Sequence, residues 1–171
     1  NCAGLAIIPG MFKGAFIIGG SYGKGVVLKH ENGIWSGPAF FNIGAGSLGL
    51  QLGGQAVDLI LVVIGKQAMN SFMKTKFKLG ADIGVAVGPV GAQATAAAEI
   101  FLKGGIYSYS RTKGAFIGLS VEGAGIATQE ELNKAYYNAS YSPADILSGE
   151  AHPPESAIQL IDTLKKVRSV E

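Results

Sequence analysis

The 171-residue chain is the size of one domain, and with 48% apolar residues it has material for a real core, which excludes a disordered chain. Fourteen basic and twelve acidic side chains leave a formal charge of +2, too little to recruit nucleic acid by counterion release. A single cysteine, Cys2, excludes an intrachain disulfide framework and a CxxC metal site, and two distant histidines add no metal centre.

Glycine is the informative residue: there are 26, of which only Gly149 lies beyond residue 125. A helical bundle cannot carry that load, because each glycine inside a helix costs about 0.5–1 kcal/mol relative to alanine. Charge divides at the same point, with +5 over Asn1 to Gly125 and −3 over Ile126 to Glu171. The chain therefore reads as one domain over 1–171: a basic, glycine-rich β body over 1–125 with an acidic helical tail over 126–171 packed on it.

In chain order, short apolar runs bounded by glycine predict strands at Ala15 to Ile18, Val26 to Leu28, Ala56 to Ile64, Ile83 to Val87, Ile106 to Tyr109 and Ala115 to Val121. Asn32-Gly33 predicts a type I′ hairpin turn, whose two central residues both need positive φ. Gln67 to Lys74 predicts a short helix with Ala68, Met69 and Phe72 on one side, and Ala92 to Glu99 a second. After Gly125, Thr128 with Glu131 reads as a capping box opening a helix through Tyr136 and Tyr137. Ser142-Pro143 opens another, and Pro153-Pro154 precedes a last helix whose stripe of Ile158, Ile161, Leu164 and Val167 is expected on the sheet. The segment from Lys13 to Val26 (KGAFIIGGSYGKGV) is echoed at Lys113 to Ile126 (KGAFIGLSVEGAGI), which suggests related strand units in a curved sheet.

Two motifs imitate nucleotide sites. Gly44-Ala45-Gly46-Ser47-Leu48-Gly49 spells G-x-G-x-x-G, but no helix can follow through Gly53-Gly54 and no acidic residue stands about 20 positions on. Gly19 to Gly25 is one residue short of a phosphate loop and lacks its Ser or Thr. His30, beside the hairpin turn, and His152, before the proline pair, read as solvated loop residues, and no coherent set of acid, base and nucleophile is present. No enzyme activity and no cofactor are expected.

Asp58, Asp82 and Glu122 stand in apolar, glycine-rich segments, where a buried carboxylate must be paired. Lys13, Arg111 and Lys113 are candidate partners. An ion pair, or a carboxylate capping backbone N–H groups, is the expected role, ahead of a perturbed catalytic acid. Lys74, Lys76 and Lys78 alternate with Thr75 and Phe77, so an extended chain puts the three ammonium groups on one face, and Arg111 and Lys113 alternate likewise. Such a face is either an edge strand protected by lysine or an anion-facing patch.

Together, Lys13 to Val26, Ile43 to Val63 (IGAGSLGLQLGGQAVDLILVV), Leu79 to Gly91 (LGADIGVAVGPVG) and Tyr107 to Gly123 (YSYSRTKGAFIGLSVEG), followed by Tyr136-Tyr137 and Pro143 to Gly149, resemble the SYLF family of lipid-binding domains. The resemblance covers most of the chain in family order. It implies peripheral binding of anionic phospholipid without catalysis, and in bacterial members a place in the periplasm or cell envelope. On that reading Lys13, Lys74, Lys76, Lys78, Arg111 and Lys113 meet head groups. The alternative is a structural envelope protein that self-assembles, or docks to a partner protein, through glycine-rich sheet edges. The expected fold is α+β: a curved, mainly antiparallel sheet or partial barrel, with the short helix and the C-terminal helices packed on it.

Overall fold

A computed structural model describes residues 2–15, 19–47, 53–88, 104–112, 115–118 and 121–167. The fold is α+β, a strongly curled and mainly antiparallel sheet forming half a barrel, as the sequence predicts. Its strands are β1 (Gly4–Ala15), β2 (Gly19–Glu31), β3 (Ile34–Trp35), β4 (Ala39–Ser47), β5 (Gly53–Val63), β6 (Lys76–Lys78), β7 (Val85–Val87), β8 (Ile106–Thr112), β9 (Ala115–Gly118) and β10 (Gly125–Thr128). The helices are α1 (Lys66–Phe72), α2 (Glu130–Tyr137), α3 (Pro143–Ser148) and α4 (Glu155–Val167). Across the sheet the order is β6-β10-β4-β2-β1-β5-β8-β7, with β3 paired to β2 and β9 to β8. Only β7 and β8 run parallel among these pairs. The composition break at Gly125 falls inside the sheet, since β10 lies between β4 and β6.

Alternation along the strands separates two faces. The inner face carries Ala6, Ile8, Val27, Phe41, Ile43, Leu59, Leu61, Phe77 and Ile126, all buried, and α1 covers it with Ala68, Met69 and Phe72. Phe72 meets Phe41 and Phe77 edge to face, with ring centroids 5.6 and 4.9 Å apart. Gly23 and Gly25 of β2 make room for this core. A Cβ on Gly25 would stand 2.6 Å from the Ile7 carbonyl oxygen and 2.7 Å from Ile8 Cγ1.

The tail packs on the outer face of β2 and β4. Ala157 and Ile161 of α4 join Leu28, with Leu160, Leu164, Val26, Trp35 and Tyr136 around them. The stripe is thus Ala157-Leu160-Ile161-Leu164; Ile158 and Val167, expected in it, are 49% and 69% exposed. Ser142 and Asp145 form a true capping box on α3. Thr128 does not cap α2: it lies in β10, its hydroxyl donates to Lys74 O at 3.3 Å, and the N-cap is Gln129. Asn32 and Gly33 take φ of +52° and +81°, the hairpin turn expected. The predicted helix over Ala92 to Glu99 lies outside the described residues. The sequence echo marks no equivalent units, for Lys13 to Val26 runs through the paired strands β1 and β2, whereas β9 pairs β8 and β10 pairs β4 and β6.

Candidate anion-binding surface on the outer sheet face

Among the described residues strand β6 ends the sheet, and it shows the expected alternation: Phe77 is buried, Lys76 and Lys78 are exposed on the outer face, and Lys74 is exposed just before it. Register then brings in residues that spacing did not. One outer-face row runs Lys76, Ala127, Asn42, Lys24 across β6, β10, β4 and β2; the next runs Lys78, Gly125, Gly44, Tyr22. From β6 to β2 is three strand steps, about 14 Å at a spacing of about 4.8 Å. Between the lysines of β6 and Lys24 lies a floor with little or no side chain, and Asn42, Gly44, Lys76, Lys78, Asp82, Gly125 and Ala127 line a hollow of about 550 Å³ there. Asn42 Oδ1 is buried without a hydrogen-bond partner, the only such side-chain atom among the described residues.

The carboxylates expected to be buried are all exposed. Two of them accept backbone N–H groups, and the third packs its stem on a glycine. Asp58 Oδ1 accepts the N–H of Gly10 at 2.9 Å, within the bulge where β1 slips register and Gly10 turns to φ +59°. Arg111, a partner considered for it, is its direct cross-strand neighbour on β8. Asp82 Oδ2 accepts the N–H of Lys78 at 2.7 Å and so fixes the end of β6. Glu122 lays its stem across Gly80, where an added Cβ would stand 2.6 Å from Glu122 Cγ.

The expected basic set is not one cluster. Lys74, Lys76 and Lys78 belong together, but Arg111 on β8 is six strand steps from β6, and Lys13 on β1 is four. Lys113 lies outside the described residues. Lys24, missed in the sequence, joins the lysines only through the pairing of β2, β4, β10 and β6. Its one local signal was the alternation Tyr22, Lys24, Val26 against inward glycines.

A second hollow, of about 650 Å³, lies beside the β2–β3 turn and α1, lined by Cys2, Lys29, His30, Glu31, Lys66 and Asn70 among others. Its cations are already engaged: Lys29 Nζ is 2.7 Å and Lys66 Nζ 3.7 Å from Glu31, and the hydrogen bond and charge of Lys29 hold the Glu31 carboxyl below the usual carboxylate range. His30 is half-buried in β2, stacked on Trp35 with centroids 4.6 Å apart, and is not the solvated loop residue expected. The outer-face hollow, lined by Lys76 and Lys78 against one carboxylate and with Lys24 opposite Asn42 on the neighbouring strand, is the better anion site.

The family model described as Ysc84, Las17-binding protein actin regulator, matches residues 44–167. The chain belongs to the Ysc84 (SYLF) family. Similar proteins include Protein YSC84 of Saccharomyces cerevisiae, 32% identical over 95% of this chain and 35% of that protein. Another is SH3 domain-containing YSC84-like protein 1 of Xenopus laevis, 31% identical over 94% of the chain and 49% of the relative. The fission-yeast SH3 domain-containing protein PJ696.02 is 30% identical over 96% of the chain and 39% of its own length. The chain thus spans between about a third and a half of the curated relatives it matches. These relatives are eukaryotic, so the similarity establishes the Ysc84 family and not the bacterial, envelope-located type expected from the sequence.

Proposed function

We propose that this Ysc84-family domain attaches peripherally to anionic phospholipid, without catalysing a reaction, through Lys74, Lys76 and Lys78 on its terminal strand. The observation that carries this reading is the alternation in β6: burial of Phe77 anchors the strand, and that anchor turns Lys76 and Lys78 outward together. An ammonium group near an anionic surface contributes on the order of 1 kcal/mol, so three together supply about a hundredfold in affinity. Their reach is about one Debye length, 8–10 Å at ordinary salt and about 3 Å at 1 M. Attachment of this kind uses no spanning helix, and no helix among the described residues is long and apolar enough to cross a membrane.

Sedimentation with vesicles containing phosphatidylglycerol tests the reading. Binding at about 0.1 M salt is expected to fall at least a hundredfold when Lys74, Lys76 and Lys78 are changed to Glu, and to weaken steeply towards 1 M. Binding that ignores the substitutions, or the anionic lipid, would sink it.

A second reading is docking to a partner protein. It draws support from relatives such as LAS seventeen-binding protein 3 of S. cerevisiae, 32% identical over 95% of this chain and 36% of its own length, whose name records binding to Las17. Among the described residues β6 pairs with β10 on one side and ends the sheet on the other, an arrangement suited to strand addition. Light scattering of the lipid-free protein separates self-assembly from lipid attachment: a defined oligomer that leaves vesicles unbound supports assembly, and a monomer that sediments with them supports attachment.

A further inference from the structure

Gly125 is a glycine that the fold does not require. Its φ lies outside the left-handed range, and an added Cβ would meet nothing closer than the Gly44 carbonyl oxygen at 3.8 Å. It contrasts with Gly23 and Gly25, where the core leaves no space for a side chain. Strands favour side chains, so bare backbone on an outer face between lysines calls for another reason. The walls of the hollow are also chemically mixed. Lys76 and Lys78 offer ammonium groups, with Lys24 opposite Asn42 on the neighbouring strand, while the Asp82 carboxylate, one oxygen of which already accepts the Lys78 N–H, and the unpartnered Asn42 Oδ1 are acceptors.

We infer that this strip seats one phospholipid head group that is anionic and also carries a hydrogen-bond donor, of the phosphoserine kind. The inference rests on the membrane reading above and goes beyond it: the domain recognises a head group by shape and donor pattern, and not only the surface charge. The phosphate lies over the Gly125 and Ala127 backbone among the ammonium groups, which bind phosphate as point charges. The donor turns to the Asp82 carboxylate at the end of β6. Complementarity of charge commits the site to such a head group, since a bare polyanion would leave Asp82 facing like charge.

Short-chain phosphatidylserine and phosphatidic acid, each below its micellar concentration, provide the test, followed by backbone amide shifts. Saturable shifts at Lys24, Asn42, Gly125, Ala127, Lys76 and Lys78 are expected with phosphatidylserine. Phosphatidic acid, which lacks the ammonium group, is expected to bind at least fivefold more weakly despite its higher charge, and inorganic phosphate more weakly still. Gly125→Val should abolish the shifts and Gly125→Ala reduce them, with circular dichroism and the melting temperature reporting an intact fold. Phosphatidic acid or inorganic phosphate binding as well as phosphatidylserine would overturn the seat, as would Gly125→Ala and Gly125→Val variants that bind like the parent. If those glycine variants bind normally while the Lys-to-Glu protein loses vesicles, the seat fails and the lysine patch stands. If the Lys-to-Glu protein binds vesicles normally, both fail.

Discussion

The side-chain amide of Asn133 stands in for a neighbouring strand at the start of β4: its Oδ1 accepts the Phe40 N–H at 2.8 Å, and its Nδ2 donates to the Phe40 carbonyl at 3.4 Å. Asn133 is 1% exposed, and the Gln129 N–H reaches the same carbonyl at 2.9 Å. Helix α2 is therefore fixed to the sheet by backbone complementarity as well as by the contact of Phe40 with Tyr136. Replacing Asn133 with Ala or Leu strands the Phe40 N–H in a site closed to water, at about 1–3 kcal/mol. Urea unfolding should show that loss as a lower midpoint with an unchanged slope. A midpoint equal to the parent's would mean that the pairing contributes nothing.

Tyr137 gives the fold an alkaline limit. Its hydroxyl donates to the Pro38 carbonyl at 2.7 Å, and burial, with Tyr136 beside it, pushes the phenol well above its ordinary value of about 10. A raised folded-state pKa favours the neutral phenol in the native state. Its contribution is complete below about pH 10 and is lost as pH rises from there through the folded value. Tyr137→Phe is expected to cost about 0.5–1.5 kcal/mol at neutral pH and to flatten the fall in stability above pH 10. Melting curves of the two proteins from pH 7 to 11 check both; parallel curves would contradict the linkage.

Gly25 separates core glycines from surface ones. A methyl group there meets the Ile7 carbonyl and the Ile8 side chain, and a carbonyl in the paired strand cannot swing aside as a side-chain end can. Gly25→Ala should destabilise by about 1–3 kcal/mol, the usual cost of overpacking, whereas Gly125→Ala should be close to neutral. Denaturant midpoints that put the two substitutions level would contradict this assignment of the faces.

What could be read from the sequence was local. Asn32-Gly33, the Ser142–Asp145 cap and the helix around Ala68, Met69 and Phe72 each depend on neighbours within a few residues, and each appears in place. Strand β4 has no unbroken apolar run, since Asn42, Gly44 and Gly46 interrupt it, and Thr128 is placed by Lys74, 54 residues away, rather than by its own neighbours. On α4, apolar spacing allowed either Ile158 or Ala157 in the buried stripe, and the approach to Leu28 decided for the smaller residue. The lysines of β6 were legible for the same local reason, as period two needs only an extended chain. Lys24, Asn42 and Gly125 were not, since only long-range register sets them beside those lysines.

Asp82 joins the end of β6 to the chemistry of its outer face. Asp82→Asn keeps an acceptor for the Lys78 N–H, so β6 should stay in place, while one negative charge leaves the rim of the hollow. If lysine charge alone drives attachment, affinity for every anionic vesicle rises by about fivefold, the worth of one charge near such a surface. With a seated, donor-bearing head group the gain is uneven: phosphatidic acid binds more tightly, whereas phosphatidylserine loses a partner for its ammonium group and gains little. The expected result is that the preference for phosphatidylserine over phosphatidic acid collapses in this variant, read by co-sedimentation with vesicles of matched charge density. An equal gain for both lipids would remove Asp82 from head-group recognition and leave it as the brace that ends the strand.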